Sequence, residues 1–279
     1  MAIDWEVEYN NRARVPEHPQ IFERWTRDAA AYRDEASKEG RAELGLKYGP
    51  SPRQTIDLFK PKSGANGPLA LFIHGGYWRS LEPSQFSQMA RGMNAHGVTV
   101  AVSGYDLCPQ ISIGQIIEQT QQACLALWKN LNRRIMVSGH SAGGHLAACM
   151  VATDWKTLDP SAPADLAPAG YAISGLFDLE PLTHLSGNAD FKLDAAEARR
   201  LSPLYWPVAR GRVLDAVVGA LESSEFLRHS RIIADGWRDK GVETRYEALA
   251  GTNHFTVCDP MTDPGSAMTQ RLVELAQRT

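Results

Sequence analysis

The sequence predicts one α/β domain, a mainly parallel central sheet with helices on both faces and a small insertion covering a pocket. Three observations carry this. Short, β-branched, nearly uninterrupted apolar runs recur along the chain, as strands buried on both faces require. Segments of helical length separate them, which is the rhythm of parallel crossovers. The 279 residues, 43% hydrophobic, supply a core that needs neither disulfides nor metal.

Residues 1–50 read as a charged helical extension. Phe22, Trp25, Ala29, Tyr32 and Ala36 fall at helical spacing between Ile21 and Ala36, the pattern of an ordinary surface helix. Gly49-Pro50-Ser51-Pro52 breaks it, Thr55–Lys60 alternates as a strand, and Pro61–Pro68 is a turn. Leu69–Ile73 and Val98–Val102 read as buried strands around a helix over Gln85–His96. Ile116, Ile117, Thr120, Cys124, Leu127 and Leu131 stripe the next helix. Strand Ile135–Ser138 then leads into a small-residue helix over His140–Ala152. Tyr171–Ser174, Val213–Val218 and Thr244–Leu249 are further strands, with helices over Glu225–Lys240 and Ser266–Arg278 after the last two. The segment 179–212 is too long for a simple crossover. It reads equally as a cap insertion over a pocket and as a crossover helix with a ragged lead-in. No repeat or linker divides the chain, so 1–279 counts as one domain.

Composition excludes several functions. Lys and Arg total 29 against 32 Asp and Glu, a net charge of −3, so nothing neutralises the phosphates of nucleic acid or an anionic membrane. No apolar run reaches the length of a spanning helix. The opening Met1-Ala2-Ile3-Asp4-Trp5-Glu6 carries acids where a signal peptide needs bases. Cys108, Cys124, Cys149 and Cys258 form no C-x-x-C pair and have no histidine at ligand spacing. They read as buried thiols of a reducing compartment, so the expectation is a cytoplasmic protein with no metal and no cofactor.

The chemistry lies in two motifs. Gly139-His140-Ser141-Ala142-Gly143 is a G-x-S-x-G set between an apolar strand and a small-residue helix, the setting of a nucleophile elbow. Ser141 is the candidate nucleophile, and the Ala142 amide opens the helix where negative charge would develop. His74-Gly75-Gly76-Tyr77-Trp78 follows an earlier strand. Such a turn builds the other half of an oxyanion hole, with Gly76 and Tyr77 as donors. A serine needs a base. Of eight histidines, only His254 stands in a loop between the last strand and the last helix, in the order serine, acid, histidine. The acid falls between them. Glu222, four residues past strand Val213–Val218, fits best and Asp178 is second; Asp215 lies within a strand and Glu225 opens a helix.

Together these residues resemble the α/β-hydrolase superfamily and, within it, the kynurenine formamidase (arylformamidase) group. The likeness runs over about residues 55–279. It rests on the two motifs extended to Gly144-His145-Leu146, on Ser174-Gly175-Leu176-Phe177-Asp178-Leu179, on Glu222-Ser223-Ser224-Glu225-Phe226 and on Asn253-His254-Phe255. It implies Ser141 as nucleophile, His254 as base and Glu222 as acid, where the family often has aspartate. His229 departs from the glutamine that the resemblance implies. It also implies hydrolysis of N-formyl-L-kynurenine to formate and kynurenine, and a homodimer. A tiny formyl group puts selectivity in the leaving-group pocket, for which Tyr77, Trp78, Tyr205 and Trp206 are the candidate lining. Two alternatives stand beside it. One is a general carboxylesterase for small acyl esters. The other is a non-catalytic binder on a hydrolase fold, against which three filled catalytic positions weigh.

Overall fold

The computed structural model of the chain describes residues 3–63 and 67–279. Met1, Ala2 and residues 64–66 of the turn expected over Pro61–Pro68 lie outside the described residues. Eight strands form one sheet: β1 Ala42–Lys47, β2 Thr55–Phe59, β3 Leu69–Ile73, β4 Thr99–Ser103, β5 Ile135–His140, β6 Ala169–Ile173, β7 Val213–Gly219 and β8 Glu243–Leu249. Their order is β1-β2-β4-β3-β5-β6-β7-β8. The first two pairings are antiparallel and every pairing from β4 onward is parallel. Strands β3, β4, β5, β6 and β7 are buried along their whole length, which is why they read as unbroken apolar runs.

Helices cover both faces. α1 Trp5–Tyr9, α2 Asn11–Arg14 and α3 His18–Lys38 come before the sheet. α4 Arg91–Ala95, α5 Ile113–Leu131, α6 Ala142–Ala152 and α7 Trp155–Leu158 follow among the central strands. α8 Asn188–Phe191, α9 Ala195–Arg200, α10 Ser224–Arg238 and α11 Ala267–Gln277 complete the chain. Four members of the stripe read from sequence, Trp25, Ala29, Tyr32 and Ala36, form the buried face of α3 together with Ile21, while Phe22 is only half-buried. Arg33 pairs with Asp57 of β2 and fastens the helix to the sheet.

Three expectations need correction. β1 was not foreseen, because five of its six residues are exposed and its register shifts between Glu43 and Leu46, erasing the alternation that marks a strand. The helix expected over Gln85–His96 is a 3₁₀ segment, Pro83–Ala90, followed by α4. The helix expected from His140 begins at Ala142, because His140 still belongs to β5 and Ser141 is the hinge. The segment 179–212 is a chain of short turns: 3₁₀ Glu180–His184, α8, α9 and 3₁₀ Pro203–Tyr205.

Candidate active site

The turn from β5 to α6 is set by close packing. Ser141 sits at φ 57°, ψ −118°, a conformation that L-residues rarely adopt. A Cβ on Gly143 would lie 2.0 Å from the Ile73 carbonyl oxygen and 2.7 Å from that of His74, so α6 reaches β3 only with glycine there. The Ser141 amide donates to the Ile173 carbonyl at 2.8 Å. Strand β6 thus holds the strained residue in place.

Around Ser141 the structure brings together the predicted base and acid. His254 Nε2 lies 3.1 Å from Ser141 Oγ, and His254 Nδ1 lies 2.6 Å from Glu222 Oε2. The Glu222 side chain is fully buried. Its other oxygen accepts from the Ser174 hydroxyl at 2.5 Å and the Gly219 amide at 2.7 Å. A carboxylate so supplied accepts the Nδ1 proton, which leaves His254 Nε2 as the acceptor facing the serine. His140 Nε2 donates to the His254 carbonyl at 2.7 Å and so fixes the backbone of that loop. Asp178, the second candidate acid, is turned away and meets Arg228 and Tyr205. Asp215 is held by Arg271, and Glu225 by Arg228 and Tyr9.

On the opposite side, the loop after β3 runs through a succession of positive φ angles: 103° at Gly76, 50° at Tyr77 and 54° at Trp78. Only glycine fits at Gly76, where a Cβ would lie 2.3 Å from the Ser80 carbonyl oxygen. Among the described residues nothing accepts from the Gly76 or Tyr77 amide, and both residues line the cleft with Ser141. The Ala142 amide is the first of α6 and has no partner within the helix. Tyr105, unremarked in the sequence, organises this loop. Its hydroxyl donates to the carbonyls of His74 at 2.8 Å and Gly75 at 3.2 Å. A trans peptide points its N–H opposite its C=O, so anchoring the Gly75 carbonyl turns the Gly76 amide away from Tyr105.

The cleft has a volume of about 410 Å³. Of the expected lining residues Tyr77 borders it, and the others do not. Trp78 is fully buried, packed edge-on against His145 and Phe191, because its left-handed backbone swings the indole into the core. Tyr205 is largely exposed under the Arg199 guanidinium, and Trp206 donates to the Arg200 carbonyl; neither borders the cleft. Beside Tyr77, the aromatic walls are Tyr9, Phe22 and Trp25 from the N-terminal helices, with Phe191 and Phe255. The helix expected to be an ordinary surface element therefore builds part of the site. From the segment 179–212, residues 185–187 and 190–191 reach the cleft.

His229, the departure noted above, is buried beneath this wall. Its Nδ1 accepts from the Phe177 amide at 3.1 Å. A neutral ring then donates through Nε2 to the Tyr9 hydroxyl at 2.7 Å, which donates onward to Glu225 at 2.8 Å. Among the described residues its hydrogen bonds reach the cleft lining through Tyr9.

Burial holds His74 and His145 down to about 4 and keeps His140 and His229 well below the usual histidine range. Unfolded, each titrates near ~6.5. Between those values the unfolded chain binds more protons, so this stabilisation is complete above pH ~6.5 and is lost as the pH falls through it towards 4. The displacement of His74 alone corresponds to about 3 kcal/mol. Urea midpoints measured from pH 7.5 to 5 are expected to fall steeply below 6.5; a flat profile would contradict four neutral buried imidazoles.

Among the described residues no helix is long and apolar enough to cross a membrane. The chain is similar to known proteins across most of its length. The kynurenine formamidase of Danio rerio is 25% identical over 241 residues, covering 83% of this chain and 81% of that protein. The enzyme of that name from Salmo salar is 27% identical over the same shares of both chains. A solved structure from Silicibacter sp. TM1040, provisionally described as a thioesterase, is 32% identical and superposes with a TM-score of 0.85 over 96% of this chain and 98% of that one. The model of a family described as alpha/beta hydrolase fold matches residues 70–277, from β3 to the end of α11. With its mainly parallel sheet and serine-bearing turn, the chain belongs to the alpha/beta hydrolase fold family.

Proposed function

We propose that this hydrolase cleaves a small acyl group from an aryl amide or ester, as an arylformamidase acting on N-formyl-L-kynurenine. The observation that carries the reading is the Ser141–His254–Glu222 arrangement opening on a cleft walled by aromatic rings. Similarity to kynurenine formamidases supports the choice of substrate.

Ser141 Oγ forms a bond to the formyl carbon while its proton passes to His254 Nε2, and Glu222 stabilises the imidazolium. The carbonyl oxygen gathers charge against the amides of Gly76, Tyr77 and Ala142, each worth about 3 kcal/mol to the transition state. The C–N bond breaks as His254 gives its proton to the aryl amine. Water, deprotonated by His254, then attacks the formyl ester, and formate leaves with Ser141 restored. No metal or cofactor enters these steps. The reading takes 1–279 as one unit whose N-terminal segment and 185–191 turn cover the cleft. The four buried free cysteines support a cytoplasmic setting, and the family resemblance supports a homodimer.

Purified protein is expected to hydrolyse N-formyl-L-kynurenine, followed by absorbance, with a higher kcat/KM than p-nitrophenyl acetate. Ester turnover with an inert formamide would leave a carboxylesterase and remove the formamidase reading.

A further inference from the structure

The loop after β3 closes on one hydroxyl that lies outside both sequence motifs. Gly76, Tyr77, Trp78 and Arg79 form a β-turn, since the Arg79 amide donates to the Gly76 carbonyl at 3.1 Å. Both central residues have positive φ, 50° at Tyr77 and 54° at Trp78. Turns of that hand favour asparagine and glycine at these positions, so a tyrosine and a tryptophan hold the backbone under strain. Rotating the Gly76–Tyr77 peptide by half a turn would carry Tyr77 into the extended region and relieve its share, and glycine at 76 tolerates the rotation. Something must oppose it. The Trp78 half of the turn is fixed by its buried indole and by the Cys108 amide, which donates to the Trp78 carbonyl at 2.8 Å. On the Tyr77 half, the Ser80 hydroxyl donates to the Gly76 carbonyl at 2.9 Å, beside the Arg79 amide. Among the described residues the Ser80 hydroxyl has no other hydrogen bond. A trans peptide points its N–H opposite its C=O, so a Gly76 carbonyl held by Ser80 faces the Tyr77 amide the other way. Gly76, Tyr77, Ser80 and Ser141 border one cleft.

We propose that Ser80 is a positioning residue for the oxyanion site. Its hydroxyl locks the Gly76–Tyr77 peptide so that the Tyr77 amide, and not the Gly76 carbonyl, meets the charge that develops on the substrate oxygen. A reversed peptide would present a carbonyl oxygen there and repel that charge. This deepens the hydrolase reading above. It rests on the oxyanion role of the Tyr77 amide and is independent of which acyl substrate is taken.

Ser80→Ala tests it with p-nitrophenyl acetate as substrate and phenylboronic acid as inhibitor, whose tetrahedral adduct on Ser141 places an oxygen against the same amides. The variant is expected to lose about 10-fold in kcat with KM within a few fold, and to bind the boronate more weakly by a similar factor. The roughly 10²- to 10³-fold cost of removing a whole oxyanion donor sets the ceiling. Ser80→Thr keeps the hydroxyl and is expected to recover most of both. Rates are referred to sites titrated with a fluorophosphonate, so that misfolded protein, which lowers only the number of sites, does not imitate the effect. Should Ser80→Ala fold poorly, Ser80→Cys, nearly isosteric and a weak donor, gives the same comparison. A kcat per site and a boronate affinity both within twofold of the wild type would overturn the proposal, as would a loss of kcat with boronate affinity kept. Turnover of p-nitrophenyl acetate beside inert N-formyl-L-kynurenine removes the formamidase reading, while the ester and the boronate still decide the role of Ser80.

Discussion

Ser141→Ala is expected to lower kcat on every acyl substrate by about 10⁴- to 10⁶-fold and to leave KM within a few fold. The attacking atom is lost, whereas the aromatic walls and the loop bearing the Gly76 and Tyr77 amides are built by other elements. Residual catalysis from a preformed oxyanion site keeps the rate above the uncatalysed one. Among the described residues the Ser141 hydroxyl bonds only to His254, so folding is expected to be unaffected, with a thermal midpoint within about 2 °C of the wild type. Steady-state kinetics on p-nitrophenyl acetate and on the formamide check this. Activity within tenfold of the wild type would place the nucleophile elsewhere.

Glu222→Gln should lower kcat about 10⁴-fold through a change no larger than one atom. Ser174 and Gly219 both donate to Oε1, so a glutamine must present its carbonyl oxygen to them and its amide nitrogen to His254. That nitrogen is a donor, and His254 Nδ1 must then accept. The ring proton moves to Nε2 and faces Ser141, where no proton can be received. The measured signature is a loss in kcat with substrate affinity retained. Glu222→Asp keeps the charge and is expected to recover part of the rate. A glutamine variant within tenfold of the wild type would mean that the carboxylate does not set the tautomer.

The parts of this arrangement legible in the sequence are those that local geometry forces. Ser141 needs Gly143 because α6 crosses β3 at contact distance, and that requirement is written within a few residues. His254 and Glu222 follow from strand order, since catalytic loops gather at the C-terminal ends of parallel strands. Apart from Tyr77, the aromatic walls were not legible. Trp78 adjoins a motif, yet its direction depends on a backbone angle of 54° that no periodicity reveals. Trp25 looked like one member of a surface stripe because its role comes from where α3 docks, far away in sequence. Tyr105 and Ser174 act through hydroxyl hydrogen bonds to residues distant in sequence, which leave no periodic pattern along the chain. β1 was hidden for the opposite reason: an exposed edge strand needs no apolar side chains to form.

The most direct measurement of the central claim is peptide mapping by mass spectrometry after stoichiometric labelling with a fluorophosphonate. The expected result is one adduct, on the peptide carrying Ser141, gained in step with loss of hydrolysis and absent from Ser141→Ala. An adduct on another residue that abolishes activity, or full turnover by protein modified at Ser141, would contradict it.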